Sequence, residues 1–177
     1  MSALLAIKSN PKTYKECTEE ALQAFKDGAW VQFFKSSQSK LSIPNIVLPK
    51  GPGFVVASGG TSGGKKYCLL PLSHFDQSAQ STAAWLSEEG LDPKRCVLFN
   101  TLPMHHVSGL MPWWRSQQWG TEHVWLLPEL LRDPLALQNF FSTQSSEDSR
   151  PKLLSLVPTQ LQRLISHSVG LEWLKNF

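Results

Sequence analysis

The stretch Phe54-Val-Val-Ala-Ser-Gly-Gly-Thr-Ser-Gly-Gly-Lys-Lys66 decides how the chain is read. A short apolar run, the length of a buried strand, breaks into four glycines interleaved with hydroxyl residues and closes on two lysines. Glycine allows successive backbone N–H groups to turn toward one anion, because it tolerates positive φ and has no Cβ to block close approach. Ser58, Thr61 and Ser62 add hydroxyl donors, and Lys65 or Lys66 adds charge. This is the composition of a phosphate cradle. The same composition also suits a plain turn after a strand.

A nucleotide-hydrolase loop does not fit. Read from Gly59, the segment satisfies G-x-x-x-x-G-K, but Lys66 stands where such a loop needs Ser or Thr to hold magnesium. Read from Ser58 instead, Ser58-Gly-Gly-Thr-Ser-Gly-Gly-Lys-Lys66 resembles the T-S-G-T-T-G-x-P-K signature of the acyl-adenylate-forming enzymes, the superfamily of acyl-CoA synthetases, luciferases and peptide-synthetase adenylation domains. Gly59 replaces the usual Ser and Lys65 the usual Pro. Downstream, Leu102-Pro-Met-His-His-Val-Ser-Gly-Leu110 is similar to the family's L-P-L-x-H-x-S-G-L segment, and Lys152-Leu-Leu-Ser-Leu-Val-Pro-Thr-Gln-Leu-Gln-Arg163 to its V-P-T-x-L strand and helix. Within the superfamily, the o-succinylbenzoate:CoA ligases of menaquinone and phylloquinone biosynthesis are most alike.

The resemblance implies ATP-dependent conversion of a carboxylic acid to an acyl-adenylate and its transfer to CoA. ATP would enter with Mg²⁺, and CoA would be the co-substrate. It implies that Ser58, Gly59, Gly60, Thr61, Ser62, Gly63 and Lys66 grip the phosphates, and that His106, Ser108 and Gly109 face the acyl group. A purely structural His106 remains the alternative. No catalytic residue is assigned. Family members carry further segments: a glycine-rich turn for adenine, a T-E pair for magnesium, an acidic residue for the ribose and a lid domain with a catalytic lysine. None has a match in this chain, so it is expected to be an amino-terminal, inactive fragment with apolar surface exposed at its end. A non-catalytic nucleotide- or acyl-binding remnant and a tryptophan-rich interaction module are the readings from other classes.

Composition bounds these readings. The 177 residues suffice for one domain with a proper core, and 41% hydrophobic with 18% charged residues fits a folded, soluble chain. No apolar run approaches the ~18 residues of a membrane span, and the amino terminus lacks the basic start of a secretory signal. The net charge of +3 is scattered rather than massed, which argues against nucleic acid. Cys17, Cys68 and Cys96 form neither a C-x-x-C pair nor an even set, so the reducing cytoplasm is the expected compartment. His105 and His106 are expected to point apart on extended backbone, making no metal site. Seven tryptophans suit a core, or an aromatic-walled pocket.

Periodicity predicts the elements. A helix runs from Thr13 to Gly28 on Tyr14, Cys17, Ala21, Leu22 and Phe25, and polar, proline-bearing residues follow from Ser36 to Gly53. Strands are predicted at Phe54–Ala57, Tyr67–Leu70, Cys96–Phe99, Val124–Leu127 and Leu153–Val157. Helices are predicted from a Ser73 cap to Gly90, through Leu110 and Trp114, from Pro134 to about Phe141, and from Pro158 to Gly170. Ser142–Pro151 reads as a surface loop. This order implies an α/β fold, a mostly parallel sheet flanked by helices, matching part of the large amino-terminal domain of an adenylate-forming ligase. Residues 1–53 would be a helix and connecting stretch, and 54–177 the partial AMP-binding domain. The glycine loop and His105–His106 both follow strands and should open on one edge of the sheet.

Overall fold

A computed structural model describes residues 3–35, 47–58, 66–143 and 149–177. The chain divides into two units: Met1–Ala79 with Pro103–Met111, and Gln80–Leu102 with Pro112–Phe177.

The first unit holds a four-stranded sheet in the order β1 (Leu4–Ser9), β2 (Trp30–Lys35), β3 (Gly53–Ser58), β4 (Lys66–Pro71). β1 and β2 are parallel, with Leu4 opposite Trp30 and Ser9 opposite Lys35, and α1 (Tyr14–Lys26) is the crossover that parallel strands require. Tyr14, Cys17, Ala21 and Phe25 of α1 are buried as their spacing predicts, and the helix stops before Gly28 at φ +73°. β2 and β3 are parallel, pairing Trp30 with Gly53 and Val31 with Phe54. β4 returns antiparallel from β3, since the seven residues between them leave no room for a crossover.

Phe54 is fully buried, its ring 5.0 Å from that of Phe25 and 4.8 Å from that of Phe75 in the first turns of α2 (Leu72–Glu88). Trp30 is also fully buried, and its indole N–H donates to the Pro49 carbonyl at 3.1 Å. Burying such a ring is worth roughly 1.5–3 kcal/mol or more. Gly53 makes room for it: a Cβ there would lie 2.6 Å from the Trp30 ring and 2.8 Å from the Leu70 carbonyl oxygen.

The second unit holds a three-stranded parallel sheet in the order β6 (Glu122–Trp125), β5 (Val97–Asn100), β7 (Lys152–Ser155). All four β5 residues are buried. Val97 and Phe99 face one cluster with Leu131, Leu137, Leu164 and Trp173. Leu98 joins Cys96, Leu86 and Trp119 in another. The two-residue alternation thus feeds two cores, as a parallel strand covered on both faces must. The flanking helices are the later turns of α2 and α3 (Val107–Trp119), then α4 (Pro134–Thr143), α5 (Pro158–Ile165) and α6 (Ser168–Leu174).

The fold class is the expected one, α/β with mostly parallel strands flanked by helices. Several particulars differ. The strands form two sheets rather than one. The periodicity reading contains neither β1 nor β2, yet both lie in the sheet that β3 continues, so the 53/54 division falls at the first residue of β3. α2 begins at Leu72, placing Ser73 inside the first turn instead of at the cap. Gly170 does not end a helix. The helix breaks at Ser166–His167, and Gly170 is buried within α6, where a Cβ would come within 2.3 Å of the Leu164 carbonyl oxygen. Close approach of backbone, not chain termination, is what requires glycine there. Trp113, Trp114 and Trp119 are core residues, and Trp125 is partly buried.

Candidate functional site

The β3–β4 hairpin sets the geometry of the predicted phosphate loop. Its last pair is Ser58 opposite Lys66, so the two ends of the glycine segment are held as neighbouring strand residues. Gly59, Gly60, Thr61, Ser62 and Gly63, with Lys65, lie outside the described residues. Lys66 is exposed.

β1, β2 and β3 run parallel, so their last residues, Ser9, Lys35 and Ser58, lie toward one edge of the sheet. Ser9 is directly opposite Lys35. Lys35 is exposed at that edge, on the opposite side of β3 from Lys66.

The histidine segment is tied toward the same edge by one hydrogen bond. Met104 is fully buried, and its N–H donates to the Tyr14 hydroxyl at 3.4 Å; Tyr14 opens α1, five residues after β1 ends at Ser9. His105 is half-buried and lies within electrostatic reach of Lys35. Burial first, then the neighbouring His106 and the Lys35 charge, lower the His105 pKa to about 4, so this imidazole is neutral near pH 7. His106 is exposed, as is Ser108, and Gly109 is buried. The His106 N–H donates to Pro103 at 3.1 Å, and its carbonyl accepts from Gly109 and Leu110 at 3.0 and 3.1 Å, closing the first turn of α3.

The two histidine rings do not point apart: their centroids are 4.3 Å from one another, because residues 104–106 form a turn rather than extended backbone. Among the described residues, no three His, Cys, Asp or Glu side chains are grouped to hold a metal. Lys35 is the residue at this edge that lies outside all three motifs. The doubled histidine was visible, but the 69 residues between Lys35 and His105 carry no local signal that the two lie within electrostatic reach.

The carboxyl ends of the second unit's strands are occupied differently. Asn100 is fully buried; its Oδ1 accepts from the Leu102 N–H at 3.0 Å, and its Nδ2 is 3.3 Å from His123 Nε2. Thr101 Oγ1 lies 2.9 Å from the Ser155 carbonyl oxygen and 3.1 Å from Gln160 Oε1, which also accepts from the Val157 N–H. Burial pushes the His123 pKa down to about 3. These groups satisfy one another and tie the strands together. An open groove of about 500 Å³, lined by Leu4, Leu5, Glu20, Gln23, Asp27 and Ala29 among others, sits at the amino ends of β1 and β2. That is the wrong end of the sheet for the predicted residues.

No protein-family model and no curated protein matches the sequence. Solved structures do. The o-succinylbenzoate CoA synthetase from Bacillus subtilis, in complex with the acyl-adenylate intermediate OSB-AMP, superposes with a TM-score of 0.56 at 18% identity, covering 94% of this chain and 52% of that one. MatB from Rhodopseudomonas palustris, in its apo form, gives 0.47 at 18% identity, over 93% of this chain and 32% of that one. McyG A-PCP with phenylalanyl-adenylate gives 0.47 at 15% identity, over 97% and 31%. The chain therefore spans about half the length of the Bacillus synthetase. At this identity the likeness is one of fold: the chain has the α/β fold of the acyl-adenylate-forming ligases, the fold its three motifs led one to expect. Within that class, the synthetase that its fold resembles acts on the acid the motif resemblance also suggested.

Proposed function

We propose that this chain supplies the phosphate- and acyl-facing part of an AMP-forming acid:CoA ligase, with o-succinylbenzoate as the acid, in the cytoplasm and in menaquinone or phylloquinone biosynthesis. One observation carries this reading. The hairpin pair Ser58–Lys66 brackets the glycine segment at the sheet edge toward which the Tyr14–Met104 hydrogen bond ties the histidine segment. In adenylation, a carboxylate oxygen bonds to the α-phosphorus of ATP while the bond to the bridging oxygen breaks and pyrophosphate leaves. The protein's task is to neutralise charge on the departing phosphates and hold the acid in line. The backbone amides and hydroxyls from Ser58 to Ser62 would hold the outer phosphates, with the Lys66 ammonium beside them. His106, exposed at the start of α3 with Ser108 and Gly109, would face the acid. Magnesium would arrive already bound to ATP. CoA would be the second acceptor.

The test is equilibrium binding of ATP. Lys66→Ala should weaken binding about fivefold or more, the scale of one charge-assisted contact on an exposed anion. Equal affinity in both proteins removes the loop from the account. Pyrophosphate exchange with o-succinylbenzoate should be undetectable with this chain alone.

A further inference from the structure

The open groove at the amino ends of β1 and β2 plays no part in the proposed function. It has a volume of about 500 Å³ and an apolar floor that includes Leu4 and Leu5 of β1, Ala24 of α1 and Ala29. Glu20, Gln23 and Asp27 stand exposed on its α1 side. No Lys, Arg or His lines it, in a chain whose 17 basic residues outnumber its 14 acidic ones. Asp27 caps the carboxyl end of α1, a position where the helix dipole disfavours a carboxylate, so a cation held there would offset both charges.

The strand beside the groove is itself open. β1 is the first strand of its sheet and, among the described residues, pairs only with β2. Its outer edge therefore presents backbone N–H and C=O groups to an incoming chain. Its only charge is Lys8, which leaves Leu4–Ile7 as four apolar residues in a row. Leu4 and Leu5 point to opposite faces of the strand, yet both line the groove, so the groove passes around the start of β1 rather than over one face. We propose that the groove and the β1 edge together dock an extended segment of a partner polypeptide that carries apolar residues and Lys or Arg. Its backbone would pair with β1, its apolar side chains would cover Leu4 and Leu5, and its cation would meet Glu20 and Asp27.

The experiment uses the whole chain with three capped pentapeptides as probes: Leu-Lys-Val-Lys-Leu, its counterpart with Glu for both Lys, and Leu-Lys-Pro-Lys-Leu. Calorimetric titration should show the first binding about tenfold more tightly than the Glu peptide. The double variant Glu20→Gln with Asp27→Asn, two exposed and nearly isosteric changes, should weaken the first peptide about fivefold, the effect growing as salt is lowered. The proline peptide, which lacks the central N–H, should also bind more weakly. Hydrogen exchange should slow at alternate β1 amides when the first peptide is added, and not when the proline peptide is. Equal affinity for the Lys and Glu peptides, or an unchanged affinity in the double variant, overturns the proposal. So does protection that falls outside β1, or a parent chain that binds none of the peptides at millimolar concentration. Light scattering that shows a dimer of the parent chain, lost in the double variant, would seat a second copy on this edge and likewise overturn it. None of these readouts involves ATP, so their failure leaves the phosphate-loop reading standing.

Discussion

The carboxyl ends of the two sheets make a controlled contrast, since both belong to parallel strands at the edge where α/β ligands gather. In the second unit that edge carries Asn100, Thr101, His123 and Gln160, which are bonded to one another and to backbone. In the first unit it carries the exposed Lys35 and Lys66, at the ends of the two strands that flank β3, with His105 within electrostatic reach of Lys35. Polar residues at strand ends are thus no evidence of binding by themselves. A cluster whose hydrogen bonds close on itself holds strands together. The position along the strands is similar, and the chemistry differs.

That contrast can be broken. Asn100→Ala removes the acceptor for the Leu102 N–H and the partner of His123 in a buried setting, and should cost about 1–3 kcal/mol in denaturant unfolding. If the loss is negligible, the second edge is not a structural tie. Acid should act in the same direction. His105 and His123 have folded-state pKa values of about 4 and about 3 against 6.5 for the free ring. Above pH 6.5 both are neutral in either state; as pH falls toward these lowered values the unfolded chain takes up protons first, so stability declines. His123→Gln should flatten that decline, measured as the unfolding midpoint between pH 7 and 4, and an identical slope would mean that the buried ring does not contribute. At the first edge, Lys35→Ala and Lys66→Ala should change stability by less than about 0.5 kcal/mol, because exposed side chains seldom do more. A larger loss would reassign them to the structural side of the comparison.

Particular residues show where reading the sequence succeeds. α1 was legible because Tyr14, Cys17, Ala21 and Phe25 repeat at helical spacing and Gly28 terminates them. Phe54–Ala57 and Tyr67–Leu70 were legible as short apolar runs on either side of a glycine segment, and the structure extends them by one or two residues. β2 was not. Trp30 to Phe34 is buried throughout, so the run has no polar face and no period, and only its place between β1 and β3 makes it a strand. Gly170 was misread because glycine has two physical uses, ending a helix and admitting a close neighbour, which the letter alone does not distinguish.

From the chain of letters follow the α/β class, most element positions and the three motifs, for these rest on local period, turn chemistry and residue type within short windows. The two-sheet arrangement, the burial of β2 from Trp30 to Phe34, the ring contact between His105 and His106, and the electrostatic reach of Lys35 to His105 needed the folded chain. Such proximities arise from strand order and register, and those are set by which apolar faces bury together across tens of residues rather than by any neighbour in sequence.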